Sequence, residues 1–281
     1  MKSLSNFQQR TLTGIVLVAA IVSSLLHFVS FSILFGIIMV GCLFEFNQIL
    51  QKTSARTDFR MALPVGVLFY IVHICVVSTS GVTFLERAIS CFFLIGVFSV
   101  ALFLILFIAE LFEKRIPFFQ NTTGALLTFY YLVIPFVFLL QLYVLNRHYV
   151  LALFVMVWTY DTFAYLTGMK FGKHRLCERI SPKKSWEGAI GGFIATLAVS
   201  LVFWRYTNDK SVLFWLGYAA IVVVFSTFGD LLESLFKRHV GIKDSGALLP
   251  GHGGVMDRFD SIFIACPAVF LYLLVMYGYA Q

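Results

Sequence analysis

"TLTGIVLVAAIVSSLLHFVSFSILFGIIMVGCLFEF", residues 11–46, holds no lysine, arginine or aspartate, and Glu45 is its only acid. A helix rises about 1.5 Å per residue, so one continuous rod here would be about 54 Å long. The hydrocarbon layer is only about 30 Å thick. The stretch therefore reads as two spans folded into a tight hairpin near His27–Ser30. Similar apolar runs recur at 62–79, 89–110, 124–145, 149–168, 188–205, 211–229 and 261–279. Charged residues make up 12% of the 281-residue chain and hydrophobic residues 60%. A soluble domain carries roughly 25% charged residues, so too little polar surface remains for a water-soluble protein. The expectation is an all-α, polytopic integral membrane protein with about nine transmembrane helices and no internal repeat.

"MKSLSNFQQR" ahead of the first run has the basic head of a secretory signal, but eight more apolar runs follow, so an uncleaved anchor is expected. With a cytoplasmic N-terminus and nine spans, every basic residue except Arg87, Arg147, Arg205 and Lys210 falls on the cytoplasmic side. That is the imbalance of the positive-inside rule. The net charge of +7 thus tracks topology, and nucleic-acid binding is not expected. Cys42, Cys75, Cys91, Cys177 and Cys266 are scattered without CxxC spacing, which argues against a disulfide framework or a zinc site. They read as small core side chains. Glu45 and Glu110 lie near span ends, where interfacial solvation suffices for them.

Two polar segments break the apolar pattern, and both fall on the cytoplasmic side: "MKFGKHRLCERISPKKSWEG" at 169–188 and the stretch from Gly229 to Ser261. They divide the chain into N-terminal helices, 1–148, and a C-terminal catalytic region, 149–281, within one continuous membrane domain. Residues three, four and seven apart share a helix face, so Asp230, Glu233, Ser234 and Lys237 line one side. Asp257 and Asp260 share another. Between them "PGHGG", residues 250–254, permits close backbone approach to a ligand. Clustered carboxylates need a cation, either basic neighbours or a divalent metal. Mg²⁺ takes one or two carboxylates and leaves positions open to phosphates, and lysines and arginines supply phosphate contacts. Asp161 sits in mid-span, where an ionisable group is a functional candidate. In "SPKKSWEG", Ser181, Lys183 and Lys184 stand at a helix entrance that suits anions, although a topology-setting basic loop would look the same.

"SLFKRHVGIKDSGALLPGHGGVMDRFD", residues 234–260, resembles the C-terminal pattern of the phosphatidate cytidylyltransferase (CDP-diacylglycerol synthase) family. The match falls on Ser234, Lys237, Arg238, Lys243, Asp244, Gly246, Leu249, Pro250, His252, Gly253, Gly254, Asp257, Arg258 and Asp260. "DTFAYLTGMKFGKH" and "ISPKKSWEG" resemble upstream family segments, with Phe163 where a small residue is usual and Ser185 where threonine is commoner. The resemblance covers roughly 150–265; the first 145 residues match only as apolar spans.

The resemblance implies transfer of CMP from CTP to phosphatidate, releasing pyrophosphate and requiring Mg²⁺, with a second cation and a homodimer left open. By motif position, Asp230, Asp257 and Asp260 are metal ligands, and Asp161, Lys237, Asp244, Asp257 and Arg258 form the catalytic set. Ser181, Lys183, Lys184, Ser234, Arg238, Lys243, His252, Gly253 and Gly254 would bind substrate. For each aspartate a salt bridge or helix cap is the competing role, and for His252 it is turn packing. Asp230 closes one span and Asp257 to Ser261 open the next, so a polar site is expected at the cytoplasmic interface. Length and the lack of extensions point to a bacterial inner membrane. Rival readings are another lipid-phosphate nucleotidyltransferase, a polyprenol kinase, or an ion-coupled transporter, which would show repeated halves.

Overall fold

Apolar runs long enough to cross a bilayer have every backbone group satisfied as helices, and helices are what the chain forms. The computed structural model describes residues 6–53, 59–78, 82–112, 120–208, 210–249 and 253–278. Among these, seven helices are long and apolar enough to span a membrane, and two shorter apolar stretches, Thr11–Ser24 and Ala62–Val77, join them. Together they fall on the nine apolar runs of the sequence. The protein is a multi-pass membrane protein. The first hairpin turns as expected: α1 (Asn6–Ser24) ends before His27, the extended N-cap of α2 (Phe28–Leu50).

The chain forms two compact units. The first comprises Met1–Val144 with Val240–Phe259. It contains α1, α2, α3 (Phe59–Val77), α4 (Phe84–Phe112), α5 (Gln120–Thr128) and most of α6 (Ile134–Leu145). A π-helical turn, Phe129–Val133, joins α5 to α6. Pro135, the second residue of α6, lacks the N–H an α-helical ladder needs there. The 120–145 rod is the core of this unit, 83% buried over its span window, against 17% for α4. The α4 helix turns Phe93, Val97, Val100 and Ile108 outward, as a lipid-facing helix does. Phe69 packs against Phe98 and Phe129 at ring-centroid separations of 4.6 and 5.0 Å.

The second unit comprises Leu145–His239 with Asp260–Gln281. It contains α7 (Arg147–Phe171), β1 (Arg175–Cys177), β2 (Ser181–Ser185), α8 (Trp186–Thr207), α9 (Val212–His239) and α10 (Asp260–Gly278). Tyr149, Trp215 and Tyr218 are fully buried, and the Tyr218 hydroxyl donates to the Tyr149 carbonyl at 2.6 Å. Small residues let helices approach closely in a bilayer. A Cβ on Gly192 would lie 2.8 Å from the Tyr160 carbonyl, and one on Gly229 2.6 Å from that of Asp260. These contacts fix α7 against α8 and α9 against α10.

The all-α reading holds, with one short antiparallel hairpin, β1–β2, with Arg175 opposite Ser185, added to the helices. Backbone outside the helices has to find partners elsewhere, and this hairpin supplies them. Val240–Phe259, grouped by sequence with the C-terminal region, packs with the first unit. The five cysteines are free thiols, but Cys75 is exposed on α3 rather than in the core.

Candidate active site

In the second unit, α7, β1, β2, α8 and α9 surround a cavity of about 620 Å³. Its lining includes Asp161 and Tyr160 from α7, Arg175 from β1, Lys183 and Lys184 from β2, and Asp230 from α9. Lys184 forms an ion pair with Asp230 and also interacts electrostatically with Asp260 and Asp161. Burial alone would lower the Lys184 pKa. Asp230, by charge and hydrogen bond, with Asp260 and Asp161 behind it, outweighs burial and holds the ammonium above the ordinary lysine value.

The sequence puts these groups here for local reasons. Ser185, extended at φ −127°, caps α8 by accepting from the Gly188 N–H at 3.1 Å, so the preceding strand delivers Lys184 at the helix entrance. Glu187 takes the backbone N–H groups of Lys173 and His174 at 3.0 and 3.2 Å and closes the turn between α7 and β1. The Gly229 contact sets Asp230 beside the start of α10, where Asp260 accepts from the Ser261 N–H at 2.6 Å. Thr227 donates to the Tyr160 hydroxyl at 2.6 Å, orienting the ring on the cavity wall.

Three carboxylates and one ammonium in mutual electrostatic contact leave an excess of negative charge, which suits a divalent cation. Asp161, Asp230 and Asp260 offer the hard oxygen ligands Mg²⁺ prefers. Among the described residues no three His, Cys, Asp or Glu side chains converge to hold a metal ion by themselves. Mg²⁺ requires only one or two carboxylates when phosphates and waters complete its shell, so the donor set fits. Lys183 and Arg175 add two cations to the cavity wall, where phosphates would be met.

The other expected residues separate into two groups. In the second unit, Ser234 donates to Asp230 at 3.3 Å, and Lys237 pairs at 3.1 Å with Glu233, which is fully buried. Ser181 begins β2 and Arg238 is exposed in the last turn of α9. In the first unit, Asp257 accepts from the backbone N–H groups of Ser245 and Gly254, each at 3.0 Å. Gly253 has φ +82° beside Asp257 and Asp244, a conformation that favours glycine. Lys243, Asp244 and Arg258 are exposed nearby in the chain. His252 lies outside the described residues.

Sequence reasoning missed several groups. Arg175 lay in a segment already marked as basic, and Tyr160 stood next to a marked aspartate. Glu45 and Glu110 are not simply solvated at an interface. Glu45 is 1% exposed and accepts from Ser245, Val255 and Met256. Glu110 accepts from the Thr122 N–H and hydroxyl at 3.0 and 2.9 Å, in the first turn of α5. In both cases donors distant in sequence satisfy the carboxylate better than a mixed interface would.

The model of the Cytidylyltransferase family matches residues 8–276. The chain is 32% identical to the phosphatidate cytidylyltransferase of Haemophilus influenzae over 279 residues, covering 92% of this chain and 96% of that protein. It is 42% identical to the phosphatidate cytidylyltransferase of Staphylococcus aureus over 157 residues, 56% of this chain, and the match spans about 60% of that relative's length. It is also 42% identical to the phosphatidate cytidylyltransferase of Thermotoga maritima over 127 residues, 43% of this chain and 47% of that protein. Because the family model runs through all the described helices and both polar segments, this chain belongs to the cytidylyltransferase family.

Proposed function

We propose that the protein transfers CMP from CTP to phosphatidate, forming CDP-diacylglycerol and pyrophosphate. The observation that carries this reading is the cavity in which Asp161, Asp230 and Lys184 meet beside Lys183 and Arg175. It is supported by the names of the relatives. A phosphate monoester carries about −1.5 to −2 charge near neutral pH and is already a nucleophile. No Ser-His-Asp or Cys-His device is then required. Its oxygen attacks the α-phosphorus of CTP, a new P–O bond forms, and the bond from that phosphorus to the bridging oxygen breaks. The electron pair leaves with pyrophosphate.

The difficulty is bringing two anions together, so positioning and charge neutralisation carry the rate. Lys183, Lys184 and Arg175 would bind phosphate oxygens, and Asp230 holds Lys184 in place. Asp230 with one of its two acidic neighbours, Asp161 or Asp260, would hold Mg²⁺, which supplies charge neutralisation on the triphosphate. Asp257, Asp244, Lys243, Arg258, Lys237 and Arg238 remain assigned to the reaction by motif position. A cytoplasmic site fits this chemistry, with CTP arriving from water and the lipid entering from the inner leaflet.

The test uses purified protein, phosphatidate and CTP labelled at one phosphate, with and without Mg²⁺. Label from the α-phosphate entering the lipid, only with Mg²⁺, is expected. Label from the γ-phosphate in the lipid would identify a kinase, and no lipid label would discard the proposal.

A further inference from the structure

We propose that Glu45 is a positioning residue for this reaction, a carboxylate on α2 that holds residues 245–246 and 253–257 in their working shape. The inference rests on the function proposed above for its kinetic part only. Glu45 lies near the C-terminal end of α2 and is 1% exposed. Its Oε1 accepts from the Val255 N–H at 3.0 Å, and its Oε2 from the Met256 N–H and the Ser245 hydroxyl, each at 2.9 Å. All three donors belong to one segment about 200 positions further along the chain.

The segment is built around this group. A Cβ on Gly246 would lie 2.5 Å from Oε1, and one on Gly254 would lie 2.5 Å from Oε2, so neither position tolerates a side chain without displacing the carboxylate. Asp257 then ties the same two ends together from the other side, taking the N–H groups of Ser245 and Gly254. In between, the Leu249 N–H donates to the Gly253 carbonyl at 3.0 Å. Val255 packs on Gly41 of α2, and Phe259 lies 6.2 Å, edge-on, from Phe35. Packing of this kind needs only an apolar side chain at position 45. A buried carboxylate is costly unless its donors are fixed, and here two of the three donors are backbone N–H groups of the signature segment. Glu45 touches no expected substrate group. It acts through Asp257 and the Gly253–Gly254 backbone, and it sets the base from which Lys243, Asp244 and Arg258 project.

Hydrogen–deuterium exchange and steady-state kinetics on the full-length protein in detergent test this. Glu45→Gln places an amide donor against backbone donors. Exchange in 245–257 should rise roughly tenfold or more, the scale of one lost charge-assisted hydrogen bond. Exchange across α7 to α10 should stay unchanged. The kcat for CMP transfer should fall by a similar factor, with the KM for phosphatidate altered less than about threefold. Ser245→Ala, which removes one donor and no charge, should give a smaller change in the same direction and keeps the test open if Glu45→Gln does not fold. Glu86→Gln on α4 should match the wild type in every readout. Unchanged exchange in 245–257, in Glu45→Gln or in its substitute Ser245→Ala, overturns the proposal. So does faster exchange accompanied by wild-type kcat. A wild-type protein that makes no CDP-diacylglycerol would defeat the functional reading, while the exchange data would still decide whether Glu45 holds the segment.

Discussion

Lys184→Met removes the ammonium that meets Asp230 and leaves Asp161, Asp230 and Asp260 to repel one another. Two unit charges about 4 Å apart at an effective dielectric of about 20 interact by about 4 kcal/mol. The Lys184 and Asp230 side chains are 26% and 27% exposed, so solvent screens part of this. Halving the figure for that screening leaves about 2 kcal/mol. Two kcal/mol is roughly thirtyfold in rate, so kcat/KM for CTP is expected to fall at least that far. Divalent-cation binding should move the opposite way. With one positive charge gone, Mn²⁺ titrated without nucleotide and followed by EPR should bind tighter by about tenfold or more, against the same 1.36 kcal/mol per decade.

The pH dependence has a definite sign. Because the folded-state pKa of Lys184 is raised, the pair stabilises the protein fully below the ordinary lysine value of about 10.5 and fades as pH climbs through the folded value. The melting-temperature gap between wild type and variant should be flat from neutral pH to about 10 and narrow above it. A folded Lys184→Met protein with turnover within threefold of wild type and unchanged Mn²⁺ affinity would refute the charge argument.

Two further substitutions probe the framework. Gly229→Ala drives a methyl group into the Asp260 carbonyl and should destabilise the protein by about 1–3 kcal/mol while lowering turnover at least about tenfold. Gly96→Ala, where nothing lies within 4 Å, should be silent in the same thermal and turnover assays. Asp257→Asn keeps one carbonyl oxygen but loses a charged acceptor, about 1.5–3 kcal/mol of local stability. Exchange at Ser245 and Gly254 should quicken and turnover should drop. Wild-type values for both would remove Asp257 from the reaction.

The spans were legible because burial in hydrocarbon allows little besides helices, and each apolar run carries its own length. Asp161, Lys183, Lys184 and Asp230 were legible as well, since ionisable groups that interrupt such runs need a reason to be there. The β1–β2 hairpin was not, because three to five polar residues carry no period that separates a strand from a loop. Arg175 entered the cavity wall through that hairpin, so it was missed along with it. Glu45 shows a different limit. Its partners are Ser245 and two backbone N–H groups, and a backbone donor leaves no mark in the sequence. The pairing of Lys237 with Glu233 was foreshadowed by four-residue helical spacing, yet that spacing does not reveal that Glu233 is fully buried.

The first unit is also discontinuous in time. Glu45 leaves the ribosome about 200 residues before the donors that satisfy it. At about 5–20 residues per second, its carboxylate waits roughly 10–40 s before Met256 is made. During that interval the N-terminal helices hold an acid whose final partners do not yet exist, so they cannot reach their finished state as an early, independent module. Maturation of this unit is therefore tied to completion of the chain, and a product truncated before residue 245 would expose an unsatisfied acidic group within the membrane.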